Sequence, residues 1–352
     1  MEKDYYPMAS PTTAWLTLNR ACNFRCPWCY AEGTGYSKKD NLDIGKAKKI
    51  IQYLSELEID RAVFIGGEPT LYPELFELND ECHSRGMKTS IVTNASSFAN
   101  DLFWSKYLDC PCDNAGISIK AISKLSAKNL LHMSERQFHT MITGLERGLS
   151  IHGSDGVSTV LNNLISVEEV KEMAVQAKRF GAKSFMLSLC NATLDDNHSS
   201  GDFMLEKAEV AKASMELAPY LDELYEGNII LELSLPLCYW PEYFIDQLIY
   251  KGQLSSLCHM QGRSGVVFST DGDILPCNSM IGQKIIDWGQ YHSGSELINI
   301  LNSEEISSLY STLLRYPAEC CSNCRKNDFC RGGCVVNWTI LSPESCNPFE
   351  GR

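Results

Sequence analysis

Cys22, Cys26 and Cys29 fall within eight residues, in the run Cys-Asn-Phe-Arg-Cys-Pro-Trp-Cys. Thiolates at i, i+4 and i+7 converge on one point when they hold a common partner. Closed zinc sites and closed iron–sulfur cubes use four ligands, so three thiolates leave one position open to a substrate or a cofactor. A cube with one open iron would do redox chemistry on whatever binds there. A zinc site or a group of disulfides is the structural alternative, and so short a motif does not decide between them.

The surrounding chain adds to the case. Ala14 to Leu18 reads as a buried strand, and the cysteine loop follows it directly. A second apolar strand, Ala62 to Ile65, runs into Gly66-Gly67-Glu68-Pro69-Thr70. Two glycines at a strand end let a ligand approach the backbone, or simply make a turn. Polar residues end later strands in the same way: Asn94 after Thr93, Ser118 and Lys120, and Asn162. Each suits ligand contact, and each equally suits local turn or cap duty.

A second cysteine series lies toward the C-terminus. Cys258 is followed by thirteen residues, Gly272, four residues and Cys277. Then come Cys321-x2-Cys324-x5-Cys330-x3-Cys334 and, eleven residues on, Cys346. The x5 and x3 intervals do not suit a zinc ribbon, whose half-motif is CxxC. Between Gly265 and Pro276, Thr270-Asp271-Gly272-Asp273 separates two apolar runs and predicts a hairpin that presents Cys277.

The elements that must position these residues alternate. Helical spacing is read over Asp43 to Glu58, Pro73 to Arg85, Asp101 to Leu108, Ser134 to Leu149 (with a Ser-x-x-Gln capping box) and Val167 to Phe180. Strands fall between them at Thr89 to Thr93, Ala115 to Ile119, Val157 to Leu161 and Ser184 to Leu189. Six strands alternating with helices make parallel βα units, and parallel barrels carry chemistry at the C-terminal strand ends. The reading is α/β: a partial (β/α)6 barrel over 1–225, then a small cysteine-rich domain with a β-hairpin over 226–352.

The CxxxCxxC loop, the GGEP segment and the second cysteine series together resemble the radical S-adenosylmethionine (SAM) enzymes that carry a C-terminal SPASM extension. The resemblance implies three [4Fe–4S] clusters and SAM. Cys22, Cys26 and Cys29 would hold the cluster whose open iron SAM chelates. Cys321, Cys324, Cys330 and Cys346 would hold an outer auxiliary cluster, and Cys258, Cys277 and Cys334 an inner one. Cys238 is the expected fourth inner ligand, against the alternative of a buried structural thiol. Gly66, Gly67, Glu68 and Pro69 would meet the SAM amino group, and the backbone near Trp28 its adenine. Asn94, Ser118, Lys120 and Asn162 are further SAM contacts, with Lys120 a departure from the usual Ser-x-Asp pattern. In such enzymes reductive cleavage of SAM gives a 5′-deoxyadenosyl radical that takes hydrogen from an unactivated carbon, an oxidoreductase chemistry supplied by the cofactor.

Relatives of this kind resemble one another in acting mostly on ribosomal precursor peptides, by carbon–carbon or thioether crosslinking or by epimerisation. A small-molecule dehydrogenase acting on a sugar or alcohol, and a sulfatase-maturing enzyme, are the alternatives. The second suffers because Asn278 follows Cys277 where such relatives use an aspartate base. Cys190 ends the sixth strand with no cluster assigned to it and is a candidate hydrogen-atom donor. The start of the chain leaves no room for a leader-binding domain before Cys22, so a separate leader-binding protein or the barrel itself would receive the peptide. A flavodoxin or ferredoxin is the expected reductant.

Composition limits the classes further. The 352 residues carry a net charge of −13, which argues against nucleic acid as partner. The first residues are charged and aromatic rather than apolar, and no run is long enough to span a bilayer, so a cytoplasmic protein off the membrane is expected. Sixteen cysteines bunched at tight spacings in a long chain favour metal binding over a secreted disulfide scaffold.

Overall fold

A computed structural model gives the protein over residues 11–31, 40–195, 198–256, 258–281, 283–313, 321 and 323–341. Cys320 and Cys346 lie outside the described residues.

The expected alternation is present. Strands β1 (Thr13–Asn19), β2 (Arg61–Gly66), β3 (Lys88–Thr93), β4 (Asn114–Ser118), β5 (Val157–Leu161) and β6 (Phe185–Leu189) pair side by side, all parallel. Helices α1 (Ile44–Glu56), α2 (Leu75–Ser84), α3 (Asp101–Asp109), α4 (Lys124–Leu131), α5 (Glu135–His152) and α6 (Val167–Arg179) fill the crossovers. The cause is local. In α1, Asp43 caps the first turn by accepting from the Lys46 N–H at 2.9 Å. Its Ala47, Ile50, Ile51 and Leu54 are wholly buried at i, i+3, i+4 and i+7. Each of those larger side chains contributes about 2 kcal/mol by leaving water. The capping box read at Ser134 is formed with Gln137, and Ser166 with Glu169 makes another at the start of α6.

The sheet wraps around a shared interior. Ile65 of β2, Val92 of β3, Ser118 of β4, Val160 of β5 and Leu189 of β6 line one cavity, while the alternate residues Phe64, Ile91, Ile117 and Leu161 are buried on the other face. This is an open parallel barrel.

The sheet continues beyond these six units. After the antiparallel pair β7 (Thr193–Asp195) and β8 (His198–Ser200) and helix α7 (Lys207–Leu224), strand β9 (Ile229–Glu232) adds to β6 in parallel. Beyond helix α8 (Glu242–Tyr250), strand β10 (Leu254–Ser255) adds to β9. After the short helix α9 (His259–Gly262), the hairpin β11 (Gly265–Phe268) and β12 (Ile274–Leu275) forms as read from Thr270 to Asp273. β11 lies parallel to β1, giving the order β10-β9-β6-β5-β4-β3-β2-β1-β11-β12. The boundary expected at residue 225 falls in the turn after α7, but the sheet continues past it. The C-terminal region is built onto both edges of the barrel sheet rather than set apart from it. Among the described residues no helix is long and apolar enough to cross a membrane.

Candidate active site

Two backbone approaches and one buried side chain build the site. The Asn19 carbonyl accepts from Gly67 N at 2.8 Å, and the Ala21 carbonyl from Glu68 N at 2.7 Å. The end of β1 is thereby laced to the segment after β2, immediately before Cys22. Only glycine fits there: a Cβ on Gly67 would stand 2.4 Å from the Ala21 carbonyl oxygen and 2.5 Å from that of Arg20. Third, Glu68 turns inward, 1% exposed, and ties this segment to the end of β3. Its Oε1 accepts from Thr70 Oγ1 and Thr93 Oγ1, both at 2.6 Å, and from Thr70 N at 3.2 Å. Its Oε2 accepts from Asn94 N at 2.8 Å. Burial pushes the Glu68 carboxyl above its usual range although these bonds favour the charged form.

Around this frame Cys22, Cys26 and Cys29 share a cavity of about 270 Å³ with Trp28, Gly66, Gly67, Glu68, Asn94, Ser118, Lys120 and Cys190. These are most of the residues singled out in the sequence. Of the expected SAM contacts, two are not brought there. Pro69 is buried in the one-turn helix behind Glu68. Asn162 is wholly buried and satisfied by its own loop, donating to the Val160 carbonyl at 3.1 Å and accepting from Leu164 N at 2.8 Å. It serves a turn.

Asn94 does both jobs. It lines the cavity, while its Nδ2 donates to Asn23 Oδ1 at 2.9 Å and its Oδ1 accepts from Ser96, so it steadies the cysteine loop. Ala95 follows with φ +63°, a left-handed conformation that costs an alanine about 1–2 kcal/mol and a glycine nothing. Phe24, Tyr30, Val160, Asn191 and Ser279 also line the cavity and were not read from the sequence. Ser279 reaches it only because the chain returns two residues after Cys277, a tertiary fact without local signal.

The donor set fits an iron–sulfur group. No described cysteine is in a disulfide. The Cys22 thiol is pushed up to about 12, chiefly by burial, with Glu68, Cys26 and Cys29 adding to it. Thiols so placed stay protonated until a cation offsets their charge. Trp28 Nε1 is buried beside them without a hydrogen-bond partner among the described residues. Among the described residues no three His, Cys, Asp or Glu side chains are already drawn together as a metal site, and preformed sites are rare without the metal.

The C-terminal cysteines sort into two groups. Burial first, then Cys258 and Cys334, push the Cys277 thiol up to about 12, and Cys258 acts likewise on Cys334, which is raised to about 11. Cys330 feels Cys324 instead. Cys238 lies in the turn Leu237–Tyr239, and the N–H of Leu237 donates to Cys330 Sγ at 3.3 Å. The expected eighth ligand thus has its turn seated on a cysteine of the outer group.

Residues 16–148 match the family model described as the Radical SAM superfamily. An S-adenosylmethionine-dependent nucleotide dehydratase of Selenomonas ruminantium is 30% identical over 31% of this chain and 39% of its own length. A dehydratase of the same name from Flammeovirga pacifica is matched over 32% of its length, so the chain spans about a third of these curated relatives. The mycofactocin maturase MftC of Mycolicibacterium smegmatis is 26% identical over 93% of this chain and 79% of its own. The structure of Streptococcus suis SuiB bound to precursor peptide SuiA superposes with a TM-score of 0.69. It covers 95% of this chain and 74% of that one at 16% identity, a likeness of fold. Three thiols on one loop, a glycine pair laced to it and a cation across the cavity lie within the matched span: residues 16–148 form a radical SAM domain.

Proposed function

We propose that this chain is a radical SAM maturase that modifies a residue of a ribosomally made precursor peptide, by a carbon–carbon or thioether crosslink or by epimerisation. The observation that carries the reading is one cavity. It gathers Cys22, Cys26 and Cys29, the Gly66-Gly67 approach, Lys120 and Cys190, and is closed on one side by Ser279 from the second cysteine region. The match to MftC over most of both chains supports a peptide substrate, whereas the nucleotide dehydratases match less than a third of this chain.

When bound at Cys22, Cys26 and Cys29, a [4Fe–4S] cluster supplies the electron that splits SAM into methionine and a 5′-deoxyadenosyl radical. The chain's own residues do the rest. Gly66 and Gly67 let SAM lie against the backbone, and Lys120 offers its ammonium to the SAM carboxylate. Phe24, Trp28 and Val160 give the cavity apolar walls that keep water from a radical. Cys258, Cys277 and Cys334 would hold an inner auxiliary cluster, and Cys321, Cys324, Cys330 and Cys346 an outer one, three clusters in all. Cys238 would be the fourth inner ligand; its turn is held by the Leu237 N–H donating to Cys330 Sγ. A flavodoxin or ferredoxin would supply electrons in the reducing cytoplasm, and a separate protein would deliver the leader peptide. Asn278 cannot take a proton as an aspartate would, which lowers the sulfatase-maturing alternative.

Cys190 is the proposed hydrogen-atom donor of an epimerising reaction. It lines the cavity, 7% exposed. Burial pushes its thiol up to about 11 although Lys120 opposes the shift, so it keeps the S–H that donation requires. The test incubates reduced, iron-loaded protein with SAM and the short peptide encoded beside its gene, in deuterated water. Wild type is expected to place one deuterium on an inverted α-carbon. Cys190→Ala is expected to consume SAM without forming a D-residue. Full turnover by Cys190→Ala, or a product two hydrogens lighter, rejects donation and points to oxidative crosslinking. SAM cleavage driven by a sugar or alcohol but by no peptide rejects the maturase reading itself.

A further inference from the structure

Below the cavity of the three thiols lies a second, of about 630 Å³, and the two share Val92. Val92 and Met186 are 45% and 37% exposed inside the barrel, so the interior is not packed shut. Among the described residues three carboxylates line the two cavities, Glu68, Asp155 and Glu232. Two are spoken for. Glu68 is held by Thr70, Thr93 and Asn94, and Asp155 by the Ala115 N–H at 2.9 Å and His152 Nδ1 at 2.7 Å. The Glu232 carboxylate makes neither a hydrogen bond nor an ion pair with a described residue, and the side chain is exposed to the cavity.

The backbone fixes where Glu232 stands. It ends β9, in register with Ser188 of β6 and Ser255 of β10, with the Leu233 N–H donating to the Ser255 carbonyl at 2.9 Å. Two residues on, the Ser234 carbonyl accepts from Cys334 N at 2.6 Å. On the other side β10 leads within three residues to Cys258. One strand end is thus stitched to one inner cysteine and paired with the strand leading to another. The field follows the geometry: burial pushes both thiols up, the Glu232 charge adds to the rise at Cys258, and at Cys334 it adds after the larger effect of Cys258.

We infer that Glu232 is a positioning residue for electron transfer at the inner auxiliary site: its carboxylate, facing the barrel cavity at the end of β9, close to where Cys334 is hydrogen-bonded to the chain and β10 leads to Cys258, favours the oxidised state of the iron–sulfur group those thiolates would hold. The inference rests on the cluster assignment proposed above. A negative charge close to a redox group opposes the arrival of an electron. A carboxylate there would lower the potential of the inner group and so favour its oxidised, electron-accepting form. In an oxidative crosslink the substrate radical then gives one electron to this group and one proton to water as its new bond forms.

The test is an anaerobic redox titration followed by electron paramagnetic resonance on iron-loaded wild type, Glu232→Gln and Glu232→Asp. The inner signal is identified by its loss in Cys277→Ala. In Glu232→Gln the inner midpoint potential is expected to shift upward, with iron content and the Cys22-site potential unchanged, and Glu232→Asp is expected to stay near wild type. An unmoved inner potential at full iron content, or an equal shift of every cluster, overturns the inference and leaves the three-cluster reading standing. A wild type that holds a single cluster overturns both.

Discussion

Replacing Cys22, Cys26 and Cys29 together by alanine is expected to remove about four irons per chain, one cluster's worth, and to reduce 5′-deoxyadenosine formation to background. The three thiols line the cavity that also carries the glycine pair and Lys120, while the other grouped thiols belong to the C-terminal region. Loss of this set should therefore leave the auxiliary iron in place. Iron analysis and chromatography of the SAM products read both quantities. Cleavage that survives the triple substitution would place the reaction elsewhere in the molecule.

The second large effect is expected of one methyl group. In Gly67→Ala the new Cβ meets two backbone carbonyls, those of Arg20 and Ala21, and backbone cannot swing aside as a side chain can. The lacing between β1 and the segment after β2 must loosen, costing about 3 kcal/mol of stability by overpacking. The displaced residues run directly into Cys22, so SAM affinity should fall by at least about tenfold, a change of ~1.4 kcal/mol. Urea denaturation and equilibrium dialysis of labelled SAM measure the two effects. Gly86→Ala is the control, because a Cβ there meets nothing within 4 Å, although its positive φ of 74° will cost some stability. A Gly67→Ala protein that binds SAM normally would show that the glycine pair makes only a turn.

Much of the frame was legible because its signals are local. Capping at Ser134, the apolar stripe of α1 and the Asp271-Gly272 turn each depend on residues within a few positions of one another. The site was legible in part for a related reason: parallel strands deliver their C-terminal ends to one place, so Cys22, Gly67, Asn94, Ser118, Lys120 and Cys190 met. What escaped was set by tertiary return. β10 has two residues, too few for any periodicity, and no local signal says that β9 joins the sheet at β6 and carries Glu232 to the cavity. α4 was missed because it has only eight residues, and the cap that Ser123 gives to Ser126 N marks its start. Asn162 looked like a ligand because asparagine at a strand end has two equal uses. Here its own loop takes the side chain first.

The most direct measurement is made on the wild-type chain purified and iron-loaded without oxygen, then mixed with SAM and dithionite. A brown protein with about twelve irons, three cubes of four, is expected, forming 5′-deoxyadenosine and methionine in equal amounts. A colourless protein with stoichiometric zinc and intact SAM would contradict it.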